Sequence, residues 1–112
     1  MDRGQSLIIP SLFDGINYAY WKIRTRAFLQ SLDEKVWQVV EIGWTKPTEA
    51  PADWDDAKIK AANFNNRALN ALFSVVTNEE FKKISSTKTA KEAWTILQTT
   101  YEGTKAVKDS KL

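Results

Sequence analysis

The sequence predicts an all-α domain, a compact bundle of about five helices preceded by an extended N-terminal arm. Prolines and glycines fall at segment boundaries and leave the stretches between them free of helix breakers. Within those stretches, apolar side chains recur every three to four residues, which is the period of an amphipathic helix. The 112 residues, 43% of them hydrophobic, fit one domain with a single core.

Residues 1–16 form the predicted arm. Its apolar members are Leu7, Ile8, Ile9, Leu12 and Phe13. Pro10 interrupts them, and the residue before a proline avoids helical backbone angles, so the segment is expected to be extended. An exposed run of this kind would be unfavourable in water. We therefore expect the arm to lie over the helical core.

The first helix is expected to begin near Tyr18. Asn17 is a preferred N-cap residue, and Ile16 and Trp21 have the spacing of a hydrophobic staple. One core-facing stripe contains Tyr18, Trp21, Thr25, Phe28, Leu29 and Leu32. A second apolar face, on roughly the opposite side, contains Tyr20, Ile23 and Ala27. A helix with one buried face does not need this second face, which is either more core or an interface.

A shorter helix is predicted from Asp33, its N-cap, to Gly43, which should end it. Val36, Trp37 and Val40 supply its apolar contacts. A surface loop follows over residues 44–52, because two prolines interrupt any periodicity. Trp44 begins this loop and belongs to no stripe, so it either packs back on the core or anchors a partner.

Asp53 is predicted to cap the longest helix. Its core stripe is predicted to contain Trp54, Ala57, Ala61, Phe64, Ala68, Ala71, Leu72 and Val75. Asn63, Asn66 and Asn70 line another side, although asparagine is a weak helix former. They form either a solvated face or a polar ladder to a neighbouring molecule.

Two capping boxes predict the last two helices. Thr77 with Glu80 should open a short helix, and Thr89 with Glu92 should open another. The stripe of the last helix is Ala90, Ala93, Trp94, Leu97 and Tyr101. Gly103 is placed to end it, so the helical region is expected to span residues 17–103. Residues 104–112 show no terminating signal and are interpreted as the start of a following segment or linker.

The composition argues against an enzyme, a metal site or a cofactor. The chain has no cysteine and no histidine, which removes most catalytic triads and zinc sites. Asp53, Asp55 and Asp56 could bind Mg²⁺, but acids in the first turn of a helix are interpreted as caps. The net charge of +2 does not indicate a polyanion partner. Neither a signal peptide nor a membrane-spanning stretch is visible, so a cytoplasmic location is expected.

Several ordered motifs resemble the Gag proteins of copia-type LTR retrotransposons. Residues 12–21 match the opening pattern of an aromatic residue, any residue, Gly, any residue, Asn, Tyr, two residues and Trp. Residues 36–40 are similar to the family's second tryptophan element, and residues 54–58 to the start of its central helix. Residues 90–103 match the signature Ala-x-x-x-Trp-x-x-Leu-x-x-x-Tyr-Glu-Gly. The likeness covers nearly the whole chain from about Leu7.

This resemblance implies a fold like the N-terminal lobe of a retroviral capsid and a structural role in virus-like particles. The partner would then be the chain itself, as a homo-oligomer or particle, with the motif residues Tyr18, Trp21, Trp37, Trp54, Trp94, Leu97 and Tyr101 building the lobe. The family commonly continues into further helices and a zinc knuckle that binds RNA. Neither is present here, so RNA is expected to bind only weakly or through other segments.

A second interpretation is a host-adopted, Gag-derived module that binds a peptide or protein partner. The partner would occupy a groove near the N-terminal arm, which the arm would otherwise cover. A displaceable arm would favour this interpretation. Self-association that survives deletion of the arm would favour assembly, with Tyr20, Ile23, Ala27, Trp44 and the asparagines of the third helix as candidate interface residues.

Overall fold

Five α-helices make up most of residues 10–102, the part of the chain that this computed structural model describes. They are α1 (Tyr18–Leu32), α2 (Glu34–Ile42), α3 (Asp56–Ser74), α4 (Asn78–Ile84) and α5 (Ala90–Glu102), with a short 3₁₀ turn at Pro51–Asp53. The predicted all-α bundle is confirmed. The expectations for Leu7, Ile8, Ile9, Gly103 and residues 104–112 lie outside the described residues.

Each helix contributes at least one fully buried side chain to a single core. They are Leu29, Val36, Leu72, Ile84 and Leu97. Helix α2 packs against α1, α3 and α5, and α5 also packs against α3 and α4. Burying five such side chains, at about 1.5–3 kcal/mol each, is the main force that holds the helices together.

Helix α1 begins at Tyr18, as predicted, but not by the predicted mechanism. Asn17 lies in the left-handed region (φ 59°, ψ 47°) and its side chain makes no capping hydrogen bond. Ile16 is 68% exposed, so a staple with Trp21 would bury little of its side chain. The chain turns sharply here, with the Asp14 carboxylate accepting a hydrogen bond from the Ile16 backbone amide at 3.1 Å. This turn takes the place of a capped helix start.

The core-facing stripe of α1 is buried as predicted except at Leu32, which is partly buried, and it includes Thr25. Thr25 is fully buried, and its hydroxyl has no hydrogen-bond partner among the described residues. A buried hydroxyl without a partner is unfavourable because it has lost its hydrogen bonds to water. The Tyr18 hydroxyl on the same stripe is also buried without a partner among the described residues.

Thr25→Val is expected to raise the free energy of unfolding by about 1 kcal/mol, because valine keeps the shape of threonine and removes the unpaired hydroxyl. Urea denaturation followed by circular dichroism would measure this change. Thr95→Val, at an exposed position on α5, is the matched control and should change stability by less than about 0.5 kcal/mol. A destabilised Thr25→Val protein would mean that the hydroxyl has a partner.

Both ends of α2 lie where the sequence predicts them. The Asp33 carboxylate accepts a hydrogen bond from the Lys35 backbone amide at 2.8 Å, which satisfies one of the free N–H groups of the first turn. Gly43 follows the helix with φ 98°, a conformation that glycine adopts without a steric penalty.

The start of α3 differs from the prediction at two residues. The N-cap is Asp55, whose carboxylate accepts from the Lys58 amide at 2.9 Å, whereas Asp53 closes the 3₁₀ turn. Trp54 is not a core residue: it is partly exposed, packs edge to face on Trp44 at 6.4 Å, and donates its indole N–H to the Glu49 carbonyl at 2.9 Å. Because Trp54 precedes the helix, the helical period does not apply to it.

The core stripe of α3 also begins later than predicted. Ala57 is exposed, and Ala61 and Phe64 are only partly buried. The buried residues are Ala62, Asn65, Ala68, Ala71 and Leu72. The stripe is therefore rotated by about one residue in the first half of the helix, and it agrees with the prediction from Ala68 onward.

The two predicted capping boxes have different outcomes. At α5 the Glu92 backbone amide donates to the Thr89 hydroxyl at 3.1 Å, as expected. At α4 the Thr77 side chain makes no capping bond. The backbone amide of Thr77, which a capping box pairs with the glutamate, donates to the Phe13 carbonyl at 3.0 Å. A hydrogen bond to the arm therefore replaces the one that the capping box would have made.

Candidate functional site

Phe13 fixes the described part of the arm to the bundle. Its backbone amide donates to the Val75 carbonyl at 2.8 Å, and its side chain is only 2% exposed. Its ring stacks on Trp21 at 4.9 Å and meets Tyr18 and Tyr101 edge to face at 5.7 and 4.8 Å. The expectation that the arm covers the core is thus confirmed at Phe13, while Leu12 remains 54% exposed.

The tryptophans of three helices continue this aromatic cluster through the core. Trp21 of α1 stacks on Trp94 of α5 at 5.8 Å, and Trp37 of α2 meets Trp94 edge to face at 5.3 Å. The Trp21 indole N–H donates to the Val75 carbonyl at 3.1 Å. These three side chains and Leu97 are buried, as predicted, so their role is to join the helices.

A polar cluster of three side chains lies beside the arm. The Tyr101 hydroxyl donates to the Glu80 carboxylate, and the Lys83 ammonium group lies 3.2 Å from that carboxylate and 2.7 Å from the hydroxyl. Burial, and then the hydrogen bond to Glu80, raises the pKa of Tyr101. The hydrogen bond to Tyr101 raises the pKa of Lys83. Both groups stay protonated at neutral pH, so the cluster joins α4 to α5 and offers no general base on either residue.

Several exposed apolar side chains form a surface along the outer side of α1. This α1 surface consists of Leu12, Ile16, Tyr20, Ile23 and Ala27. Tyr20 is 68% exposed and Ile23 70% exposed, so the second apolar face of α1 is not core. Leu12, Ile16 and Tyr20 line one hollow of about 270 Å³ beside the arm, which makes them neighbours in space. Contiguous exposed apolar side chains of this kind are typical of interaction sites.

A groove adjoins the α1 surface at Ile23. It lies between α1, α2 and α5, has a volume of about 500 Å³, and is lined in part by Trp37 and Trp94. The Arg26 guanidinium lies 5.1 Å from the centre of a Trp37 ring, and Lys22 pairs with Glu102 at 2.7 Å. Its rim therefore contains both cations and carboxylates and does not favour a partner of either charge.

Two other sets of predicted interface residues lie outside the α1 surface. Trp44 is partly buried and packs against the core, so it packs back rather than extending into solvent. Asn63, Asn66 and Asn70 are exposed on α3, which is the expected position for either a solvated face or a ladder to a neighbour.

The asparagine that matters for the fold is Asn65, which the sequence interpretation missed. It is fully buried, its amide N–H donates to the Lys88 carbonyl at 3.1 Å, and its amide oxygen accepts from the Ala90 backbone amide at 2.9 Å. It therefore holds the first turn of α5 against α3. Asn65 lies three residues before Ala68 and seven before Leu72, both on the core stripe. This spacing is the signal in the sequence that predicts its burial.

Within residues 10–102, no group of three or more acidic side chains could hold a metal ion. None of the helices in this range is long and apolar enough to cross a bilayer. Comparison of the chain with protein-family models, with curated proteins and with solved structures returned no match. The geometry of the surface is therefore the basis for a functional proposal.

Proposed function

We propose that this chain is a structural module that associates with copies of itself through the α1 surface, as a capsid-like lobe of a copia-type Gag protein would. The observation that carries the proposal is the pair Tyr20 and Ile23, large apolar side chains that expose about two thirds of their surface on one face of a helix. The chemistry of the module is association and not catalysis.

The exposure of this face has a physical cost that a partner would remove. Each apolar side chain buried in an interface stabilises it by roughly 25 cal/mol per Å² removed from water. Four of the five side chains of the α1 surface are aliphatic, and the fifth, Tyr20, combines a large apolar ring with a polar hydroxyl, as is common at the centre of interfaces. Leu12 and Ile16 extend the patch beyond the helix.

The resemblance to copia-type Gag supports the same proposal, since that family forms cytoplasmic particles from many copies. In a closed shell each subunit makes several contacts, so a weak contact at each interface is sufficient. The purified module would then show only weak self-association, in the micromolar to millimolar range of concentration.

Ile23→Glu is the direct test. The substitution places a charge in the centre of the α1 surface, where a second copy would have to bury it, so we expect self-association to weaken at least about tenfold. Sedimentation equilibrium from micromolar to millimolar concentration would measure the change. Because the Ile23 side chain is exposed, the free energy of unfolding should change little.

Ile59→Glu is the matched control, because Ile59 is also an exposed isoleucine but lies on α3, which does not carry the α1 surface. This variant should associate as the unchanged protein does. If the two substitutions weakened self-association equally, the result would contradict the proposal. An unchanged protein that stays monomeric at millimolar concentration would also contradict it.

The alternative, a peptide groove that the arm covers, requires Phe13 to leave its position. Phe13 is part of the aromatic cluster, and exposing a buried phenylalanine costs about 1.5–3 kcal/mol before its two backbone hydrogen bonds are counted. The α1 surface needs no such rearrangement, so self-association is the function that the geometry supports best.

A further inference from the structure

A second concave surface lies between α2 and α3, on another part of the bundle. This α2–α3 groove has a volume of about 430 Å³, and its apolar lining includes Val39, Trp44, Ala61 and Phe64. The charged side chains that line it are Lys35 and Lys60, and no carboxylate is among its lining residues. A cavity with aromatic walls and a purely cationic rim favours an apolar group that carries a negative charge.

A surface segment with the complementary chemistry is the 3₁₀ turn Pro51–Asp53, which we name the knob. All three of its residues are exposed. Pro51 and Ala52 present small apolar groups, and Asp53 presents a carboxylate with no hydrogen bond or ion pair to any described side chain. The knob thus presents small apolar groups next to the Asp53 carboxylate.

Several contacts hold the knob in a fixed conformation. The Asp53 backbone amide donates to the Ala50 carbonyl at 2.8 Å, and the Trp54 indole N–H donates to the Glu49 carbonyl at 2.9 Å. The Glu49 carboxylate also pairs with the Lys58 ammonium group. A loop that is already ordered loses little conformational entropy when it binds, which favours its use in recognition.

The knob does not fill the groove of its own chain, because none of its three residues is among the lining residues. We propose that the α2–α3 groove of one copy receives the knob of a neighbouring copy, with Asp53 facing Lys35 and Lys60. This inference rests on the proposed self-association and supplies its second contact. The contact joins two different patches, and where it is made head to tail it would extend an assembly into rings or chains.

Charge reversal tests the contact with two single variants. Asp53→Lys gives a cationic knob facing a cationic groove, and Lys60→Glu places a negative charge in the groove facing a negative knob. Each variant alone should associate about tenfold more weakly than the unchanged protein, measured by sedimentation at low salt. An equimolar mixture of the two should recover association, because residue 53 of each variant then meets a residue of opposite charge at position 60 of the other.

Both substitutions are at exposed side chains, so thermal unfolding should show that the variants fold normally. Lys46→Glu is the matched control for Lys60→Glu: it makes the same change of charge on the exposed loop, outside the groove. It should associate as the unchanged protein does. The double variant Asp53→Lys with Lys60→Glu is a further check and should associate with itself again.

The outcomes separate this inference from the proposal for α1. If Ile23→Glu weakens association but both charge reversals leave it unchanged, the α1 surface stands and the knob contact is wrong. If the two reversals weaken association but their mixture does not recover it, the contact is also wrong. A third outcome is that the charge-reversal variants self-associate as the unchanged protein does, while the unchanged protein binds poly-L-glutamate and Lys60→Glu abolishes that binding. This outcome would assign the groove to a foreign acidic partner and overturn the inference.

Discussion

Phe13→Ala is expected to lower the free energy of unfolding by about 3–5 kcal/mol, the range for removing a buried phenylalanine from a core. The ring is 2% exposed and contacts Tyr18, Trp21 and Tyr101, so alanine would leave a cavity lined by three aromatic rings. Small domains are stable by about 5–15 kcal/mol, and the change would remove a large share of that. Urea denaturation followed by circular dichroism would measure it.

Leu12→Ala is the matched control, because Leu12 is the adjacent arm residue and is 54% exposed. It should cost well under about 1 kcal/mol, since a half-exposed side chain loses much less buried area. Similar effects of the two substitutions would show that the arm packs as a whole and not through Phe13. A Phe13→Ala protein of unchanged stability would mean that the arm contributes nothing to the core.

Asn65→Ala is the second substitution with a large expected effect, about 2–4 kcal/mol of destabilisation. It would leave the Lys88 carbonyl and the Ala90 amide without the hydrogen bonds that the Asn65 side chain provides at 3.1 and 2.9 Å. Each unsatisfied backbone group costs about 1–3 kcal/mol when it is buried. Because both groups belong to the start of α5, amide hydrogen exchange should increase first in that turn.

Asn66→Ala is an almost ideal control, since it makes the same chemical change at the next residue of the same helix. Asn66 is exposed, so its replacement should be neutral or slightly stabilising because alanine is the better helix former. Comparable losses for Asn65→Ala and Asn66→Ala would contradict the bridging role of Asn65. Asn65→Asp should also be destabilised, because a carboxylate cannot donate to the Lys88 carbonyl.

The elements that local chemistry determines were predictable from the sequence. The cap at Asp33 and the end of α2 at Gly43 each follow from the preference of one residue type for one backbone environment. The two-sided apolar pattern of α1 also identified Ile23 as a residue that needs either core or partner, and the structure excludes core. The partner remains a prediction.

The errors arose where a distant segment decides the local structure. The Thr77 amide could not complete a capping box because Phe13, far away in sequence, accepts its hydrogen bond. The spacing of Asn65 places it on the core stripe of α3, but its hydrogen-bond partners belong to the segment at the start of α5, whose position no local pattern shows. At α3 both Asp53 and Asp55 are suitable caps, and Asp55 caps the helix because Asp53 is part of the 3₁₀ turn Pro51–Asp53.

The five tryptophans fall into two groups that fluorescence quenching can distinguish. Trp21, Trp37 and Trp94 lie in the core, where water and dissolved quenchers have little access, whereas Trp44 and Trp54 pack on each other at the loop and are partly exposed. Iodide would therefore quench the second pair selectively while the fold is intact. Trp44 also lines the α2–α3 groove, so the intrinsic fluorescence of the chain contains a reporter of that surface that is separate from the reporters of folding.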